Sequence, residues 1–419
     1  MRILFLTHYF PPEGNAPASR TYEMCKRWVA EGHDVRVITC FPNHPRGVVY
    51  PGYRNRPVAH ETIDGIKVTR VWTYLAANVG TIKRIANFLS FMASSIVAGL
   101  RCPRPDAVIA TSPQFFCGWG GLLLSRIRGV PFLLEIRDIW PESIVAVGAM
   151  RNRLLIGVLE GLARTMYRAS RHIVAVGEGY RRKLIECGVP ARKVSVITNG
   201  VDPDLFYPRE ADPAVLREFG LEGRFVCSYV GTIGMASGLD VVLRAAVRLR
   251  DAGRDDIAFL LVGDGAVRDD LEAEARARGL DRVTFTGMLP KERMPEILAA
   301  SDACLVHLKR RDLFRTVLPS KIFEAAAMAR PIVLGVEGSA AELIREAGAG
   351  ICIEPENDRE LANTLTSLAD DPELSRRIGR QGHDYITTHY NRDKLAGEYL
   401  DIVRAVATRT SPQAVKDAK

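Results

Sequence analysis

The sequence predicts an α/β protein built from two doubly wound parallel sheets. Three observations carry this. Short apolar runs alternate with stretches of helical periodicity along most of the chain, the pattern of strand–helix–strand units. The alternation breaks near residues 200–222, where the chain turns polar and carries Pro203, Pro208 and Pro213. The length of 419 residues suits two domains, at roughly 100–200 residues each. The expected parts are residues 1–202, residues 203–385, a helix at 386–408 that returns to the first domain, and a disordered tail at 409–419.

Residues 2–6, RILFL, form the first strand. The loop THYFPPEGNAPASR follows, then a helix from about Arg20 to Ala30 and a strand from Val35 to Thr39. This loop exceeds the roughly 2–6 residues of an ordinary connector, and loops at the carboxyl ends of parallel strands are where ligands bind. Gly14 and Asn15 are candidates there, with plain turn residues as the other reading. Residues 41–80 read as irregular and then as a strand at 66–72. Ile82, Ile85, Leu89, Met92, Ile96 and Leu100 recur at helical spacing. That helix either faces the core or, flanked by Lys83-Arg84 and Arg101, lies on a membrane surface. Strands are expected at 108–110 and 132–136. The second runs into Arg137-Asp138, charged residues at the ligand edge of such a sheet; a salt-bridged loop is the alternative. A helix at 151–169, a strand at 173–176, a helix at 178–187 and a strand at 194–197 complete this half.

The second half repeats the rhythm. Strands are expected at 225–230, 257–262, 282–286, 303–307, 331–335 and 350–353. Helices fall near 238–251, 267–278, 292–300, 319–329, 339–347 and 358–370, with a last one at about 391–408.

Hydrophobic residues at 47% and charged residues at 25% are ordinary for a globular chain able to bury more than one core. The net charge of +8 fits anionic partners without choosing among them. Nucleic acid is disfavoured, because the charges are spread and aromatics are only 7%. No two of the eight cysteines lie within four residues, which excludes a C-x-x-C pair and fits buried free thiols in a reducing compartment. Ile3 to Leu6 reads as a strand, not a signal peptide. The uncharged stretch from Ile85 to Leu100 is short of the roughly 20 residues that span a bilayer.

The segment LPSKIFEAAAMARPIVLG, from Leu318 to Gly335, carries the most chemistry. Pro319 suits a first helical position, which puts apolar Leu318 at the N-cap. A helix start without a clear cap offers N–H groups to an anion. Lys321 adds a positive charge in the same turn, and Glu324 follows one turn later. An ordinary αβ unit with Ser320 as cap fits the same residues. Three glycine-bearing turns follow strands: Gly231-Thr232-Ile233-Gly234, Gly263-Asp264-Gly265 and Gly287-Met288-Leu289-Pro290. Glycine there permits positive φ or lets a ligand approach the backbone. Together with Lys321 they point to a nucleotide. Asp202-x-Asp204 resembles a metal-binding pair, yet its place after an Asn-Gly turn favours a turn or capping role. His8, His33 and His307 have no ligand partners at metal spacing and read as satisfied or exposed histidines.

With these residues in view, the chain resembles the retaining GT-B glycosyltransferases of family 4, most closely the bacterial group that builds cell-surface polysaccharides such as O-antigen or capsule with fucosamine-type or other aminosugar units. The resemblance covers about residues 1–405. It rests on HYFPPEGNAPASR, EGHDVRVIT, IRDIWPES, NGVD, YVGTIGMASGLD, LVGDGAVRDDLE, VTFTGMLP and PSKIFEAAAMARPI, in family order. It implies two Rossmann-like domains facing a cleft, with the last helix returning to the first. Glu324 matches the second Glu of an E-x7-E motif that hydrogen-bonds the donor ribose. Backbone groups at Pro319, Ser320 and Lys321 match those around the donor diphosphate. Met288, Leu289 and Gly263 match the nucleobase pocket. Gly14 and the turn from Gly231 through Thr232 to Gly234 match the cleft, and Asn15 and Gly265 join the donor-binding set. Asp138 lies where the family places a His-Asp pair, with Arg137 in place of the histidine. Thr316 replaces the first Glu of E-x7-E, Arg330 replaces a small residue before the helix-ending Pro331, and GTIGMASG lacks the usual basic residues. Lys321, helped by Arg315, takes over diphosphate neutralisation in this reading.

The implied activity is transfer of an N-acetylated aminosugar or deoxy-aminosugar from a UDP-sugar, with retention, to a polyprenol-diphosphate-linked saccharide. Asp138, Lys321 and Arg137 are its expected catalytic residues. No cofactor and no metal are expected. The enzyme is expected in the cytoplasm, in peripheral contact with the inner membrane face, and without nucleic acid. Two rivals are a UDP-sugar epimerase on the same architecture and a non-catalytic nucleic-acid-binding protein.

Overall fold

The computed structural model describes residues 1–44, 47–76, 81–112, 114–141 and 152–408, apart from the side chains of residues 81, 82 and 313. The expected disordered tail and the end of the IRDIWPES segment lie outside the described residues. The chain divides into two compact units: Met1–Thr198 with Asp393–Lys419, and Asn199–Arg392.

The first unit runs β1 (Arg2–Leu6), α1 (Ala16–Ala30), β2 (Asp34–Cys40), β3 (Val58–Ile63), β4 (Ile66–Val71), α2 (Thr81–Arg101), β5 (Ala107–Thr111), α3 (Phe115–Arg128) and β6 (Phe132–Ile136). It continues with α4 (Arg153–Ala169), β7 (His172–Ala175), α5 (Glu178–Glu186) and β8 (Val194–Val196). The eight strands are ordered β3-β4-β2-β1-β5-β6-β7-β8. All pairs are parallel except β3 with β4. Side chains alternate across a strand, so Ile3 and Phe5 meet α1 through Met24 and Trp28. Leu4 and Leu6 share the opposite core with Phe91 of α2, Leu124 of α3 and Met166 of α4. The chain order reverses between β1 and β5, the switch point at which open sheets bind ligands.

The second unit runs α6 (Pro213–Glu218), β9 (Phe225–Val230), α7 (Asp240–Asp251), β10 (Ile257–Val262), α8 (Arg268–Ala277), β11 (Val283–Gly287), α9 (Met294–Ala299) and β12 (Ala303–His307). Then come α10 (Lys321–Ala327), β13 (Ile332–Gly335), α11 (Ser339–Ala347), β14 (Gly350–Cys352), α12 (Asp358–Asp370) and α13 (Pro372–His389). Its six strands are all parallel, in the order β11-β10-β9-β12-β13-β14, reversing between β9 and β12. Among the described residues no helix is long and apolar enough to cross a membrane.

The last helix, α14 (Arg392–Ala407), completes the core of the first unit. Tyr399 meets the Trp28 ring edge-on at 5.2 Å, and the Trp28 indole N–H donates to the Ala396 carbonyl at 3.0 Å.

Four expectations need correction. The division falls at 198/199 and 392/393 instead of 202/203 and 385/386. A backbone clasp explains the shift: the Val201 N–H donates to the Tyr390 carbonyl and the Arg392 N–H to the Val201 carbonyl, each at 2.9 Å. Residues 386–389 also finish α13, where Ile386 is buried. Helix α1 begins at Ala16, not Arg20, because the Asn15 side chain caps it by accepting from the Ala18 N–H at 2.9 Å. Helix α3, residues 372–385 of α13 and strand β3 arise where the sequence reading placed no element.

Candidate functional site

The three glycine turns of the second unit form one stacked layer at the carboxyl ends of β9, β10 and β11. The Gly231 N–H donates to the Val262 carbonyl, Ile233 to Asp264, and Gly263 to Gly287, at 2.9, 3.0 and 2.9 Å. A Cβ on Gly263 would lie 2.0 Å from the Gly231 carbonyl oxygen, and one on Gly265 would lie 2.3 Å from that of Ile233. These two glycines therefore serve the close packing of loop on loop, and Gly263 also takes the positive φ, 138°, that the sequence analysis allowed for it. The Gly234 N–H donates to the Ser237 hydroxyl at 3.0 Å, and the Thr232 carbonyl accepts from the buried Tyr229 hydroxyl at 2.8 Å. Met288 is exposed, while Leu289 is partly buried against the apolar cluster that holds Val262 and Ile297.

Helix α10 starts two residues later than expected. Lys321 is its first residue; Ser320 precedes it without a side-chain cap, and Pro319 and Leu318 lie outside. The Ile322 and Phe323 N–H groups donate to the carbonyls of Pro319 and Ser320, each at 3.1 Å. These two bonds close the first turn of the helix behind Ser320 and Lys321, whose amides are the ones the sequence offers to an anion. Lys321 itself does reach the glycine layer. Its Nζ sits 3.5 Å from the centroid of the Tyr229 ring, a cation–π contact, and a Cβ on Gly231 would lie 2.9 Å from that nitrogen. One turn on, burial pushes the half-buried Glu324 carboxyl up, while Arg392, Lys291 and Lys321 draw it back. Thr316 ends a short 3-10 turn, Asp312–Thr316, and Arg315 is exposed there.

In the first unit, Gly14 is exposed with open space where its Cβ would point. Asn15 is committed to the α1 cap. At the end of β6 the Arg137 guanidinium donates to the Pro17 carbonyl at 3.0 Å. Burial pushes it down to about 10, against the pull of Glu135. It thus ties β6 to the first turn of α1. The Asp138 backbone carbonyl accepts from the Ser112 hydroxyl at 2.9 Å. Its charge helps raise the Tyr180 hydroxyl, which burial pushes up to about 12.

The structure also assembles groups that the sequence reading did not select. Glu13 is buried and accepts from the N–H groups of Asn43 and His44 at 2.8 and 2.9 Å, which joins the loops after β1 and β2. His8, at the end of β1, is neither exposed nor satisfied. Its ring is buried among Tyr9, Phe88 and Phe91 with no partner at Nδ1 among the described residues, and burial pushes it down to about 3. Arg20 pairs with buried Glu135 at 3.2 Å and donates to the Thr198 and Ile197 carbonyls at 2.5 and 2.7 Å. His307 is satisfied: Nδ1 lies 2.7 Å from the Ser237 carbonyl and Nε2 accepts from the Glu356 N–H at 2.9 Å. Asp202 caps its own turn through the Asp204 N–H at 3.1 Å.

Comparison with known proteins places this geometry. Residues 215–385 match the family of glycosyl transferases group 1, and residues 15–200 match a glycosyl transferase 4-like domain. WcaI of Escherichia coli strain K12, described as a colanic acid biosynthesis glycosyl transferase, is 30% identical over 85% of this chain and 89% of its own. The alpha-D-kanosaminyltransferase of Streptomyces kanamyceticus is 34% identical over 67% of this chain and 73% of its own. Among solved structures, the sucrose-phosphate synthase of Thermosynechococcus elongatus superposes with a TM-score of 0.78 at 16% identity, over 98% of this chain and 100% of that one. Anabaena HepE in complex with UDP-glucose superposes with a TM-score of 0.71 at 17% identity, over 97% and 100%. The chain belongs to the glycosyl transferases group 1 family and is a glycosyltransferase of GT-B fold.

Proposed function

We propose that this enzyme transfers an aminosugar, with retention at the anomeric carbon, from a UDP-sugar to a polyprenol-diphosphate-linked saccharide in cell-surface polysaccharide synthesis. The observation that carries the reading is the Lys321 ammonium held on the Tyr229 ring beside Gly231, with the Glu324 carboxyl one turn along the same helix. A cation at the carboxyl end of β9, with a carboxyl one turn along its helix, suits a ligand with both phosphate and sugar hydroxyls. The named relatives support the polysaccharide and aminosugar parts: WcaI is named for colanic acid biosynthesis, and the Streptomyces relative is named a kanosaminyltransferase. Those relatives are transferases by name, which sets the epimerase reading aside.

In this mechanism loss of the nucleoside diphosphate is the hard step. Lys321 stabilises the charge that grows on the leaving phosphate, because a fixed ammonium needs no reorganisation as the bond breaks. The Tyr229 face and the Gly231 backbone hold the ammonium in place. Glu324 accepts from the ribose hydroxyls, and Met288 and Leu289 flank the base. We assign Asp138 to the acceptor hydroxyl, and Arg137 is a positioning residue acting through the Pro17 carbonyl. The acceptor is held by a lipid carrier at the inner face of the cytoplasmic membrane, and no metal enters the scheme.

Thermal unfolding with UDP, GDP, ADP and dTDP tests the donor. A nucleotide at about 100 times its dissociation constant adds roughly 2.7 kcal/mol of stability. We expect UDP alone to stabilise the chain, and Lys321→Ala and Glu324→Ala to abolish the shift. No shift with any nucleotide would refute the donor site. In a transfer assay Lys321→Ala should lower turnover at least about tenfold; unchanged turnover would remove Lys321 from the mechanism.

A further inference from the structure

Helices α2, α3 and α4 lie side by side over one face of the first sheet, α3 in the middle. Their outer surface is unlike the rest of the molecule. Of the sixteen large hydrophobic side chains exposed among the described residues, eight stand on these three helices. Leu154 is 81% exposed and Ile127 62%. The same helices carry eight Lys or Arg residues and a single carboxylate, Glu160, a net +7. The whole chain carries only +8. Arg126, Arg153 and Arg168 are exposed. At the carboxyl ends of α3 and α4 a cavity of about 950 Å³ adds Arg171, Arg192 and Lys193 to Arg126 and Arg168, with no carboxylate in its lining. Lys193 is engaged there with the Tyr167 and Arg168 carbonyls at 2.8 and 2.6 Å.

Apolar side chains interspersed with cations suit a flat anionic surface that is apolar beneath. No described helix can cross a bilayer, so these helices would lie on one. We infer that the outer face of α2, α3 and α4 docks the enzyme on anionic lipid bilayers. The phosphate headgroups meet Arg126, Arg153 and Arg168, and Ile127, Leu154 and Val158 enter the boundary below them. This rests on the reading of a lipid-held acceptor and extends it: the sequence reading considered only α2 for membrane contact, whereas α3 and α4 carry most of the exposed apolar groups and more of the cations.

Flotation of the full chain with phosphatidylcholine vesicles, with and without phosphatidylglycerol, tests it. Capture is expected on the anionic vesicles alone and should weaken as salt is raised. In the triple variant R126E/R153E/R168E it should fall on the order of a hundredfold, given the attraction each cation feels at such a surface. I127S/L154S should lose the part of binding that survives high salt. Melting curves check folding; should the triple variant melt early, R153E alone should still weaken capture severalfold. Absence of capture, equal capture by neutral vesicles, or capture unchanged by charge reversal would overturn the proposal. So would vesicle-free self-association abolished by I127S/L154S, which would make this face an interface between copies. The nucleotide-induced thermal shift, read in the same samples, should be intact in every variant. Its absence from the unaltered chain would defeat the donor reading while leaving the flotation result standing.

Discussion

Gly231 and His172 show two ways in which a single side chain acts here. The φ of Gly231 is 142°, a conformation other residues adopt only with strain, and the missing Cβ leaves the room that the Lys321 ammonium takes up. Gly231→Ala should therefore weaken both the UDP thermal shift and turnover, as Lys321→Ala does; an unaltered shift would separate the glycine from the site. His172 acts through pH. Burial, with Lys193 adding, pushes its ring down to about 4 from 6.5. A ring held neutral in the fold supports stability fully above about 6.5 and loses that support as the pH falls toward 4. His172→Gln should therefore flatten the acid decline of urea stability across that window by up to roughly 1.4 kcal/mol per pH unit; an unchanged slope would refute the assignment. Lys321 and Glu324 were legible in the sequence because one helical turn brings them together. Glu13, His8 and the Arg20–Glu135 pair were not, because the chain distance between partners hides them: Glu13 binds an amide 30 residues on, and Glu135 lies 115 residues from Arg20.

Helix α3 and most of α13 escaped the sequence reading for one reason: glycines sit on their buried faces. Gly121 of α3 faces Ala110, and a Cβ there would come within 2.6 Å of it. Gly379 of α13 faces the Ala329 carbonyl oxygen, 2.1 Å from where a Cβ would be, and Gly382 faces Ala349 at 2.8 Å. Glycine lowers helix propensity and removes the apolar periodicity that marks a helix, although here it lets the helix approach backbone closely. Gly379→Ala should lower the stability of the second unit by about 1–3 kcal/mol, the usual range for overpacking; a neutral result would mean that α13 shifts freely. The parallel strands were easier to read, because burial on both faces makes them continuous apolar runs such as IAFLLV. The start of α10 was misplaced by two residues because Pro319 is equally at home in the extended turn before a helix, and only the carbonyls it and Ser320 present to the next amides decide the matter.

The division into two units was read from composition, and its position from Pro203, Pro208 and Pro213; the clasp between Val201 and Tyr390 to Arg392 moved both limits. If the nucleotide binds where Lys321 and Glu324 stand, UDP should slow hydrogen exchange in peptides covering residues 229–234 and 319–324 and leave those of β5 and β6 unaffected; protection confined to the first unit would reverse the assignment. The path of the chain has a further consequence, for synthesis rather than catalysis. Trp28 reaches its partner Ala396 only 368 residues later, after the whole second unit has been translated. At about 5–20 residues per second, Met24, Trp28 and the face of α1 around them stay without their cover for roughly 20–70 seconds on the ribosome. The nascent first unit thus presents a sticky apolar stripe to chaperones while the second, contiguous in sequence, can close its own core first.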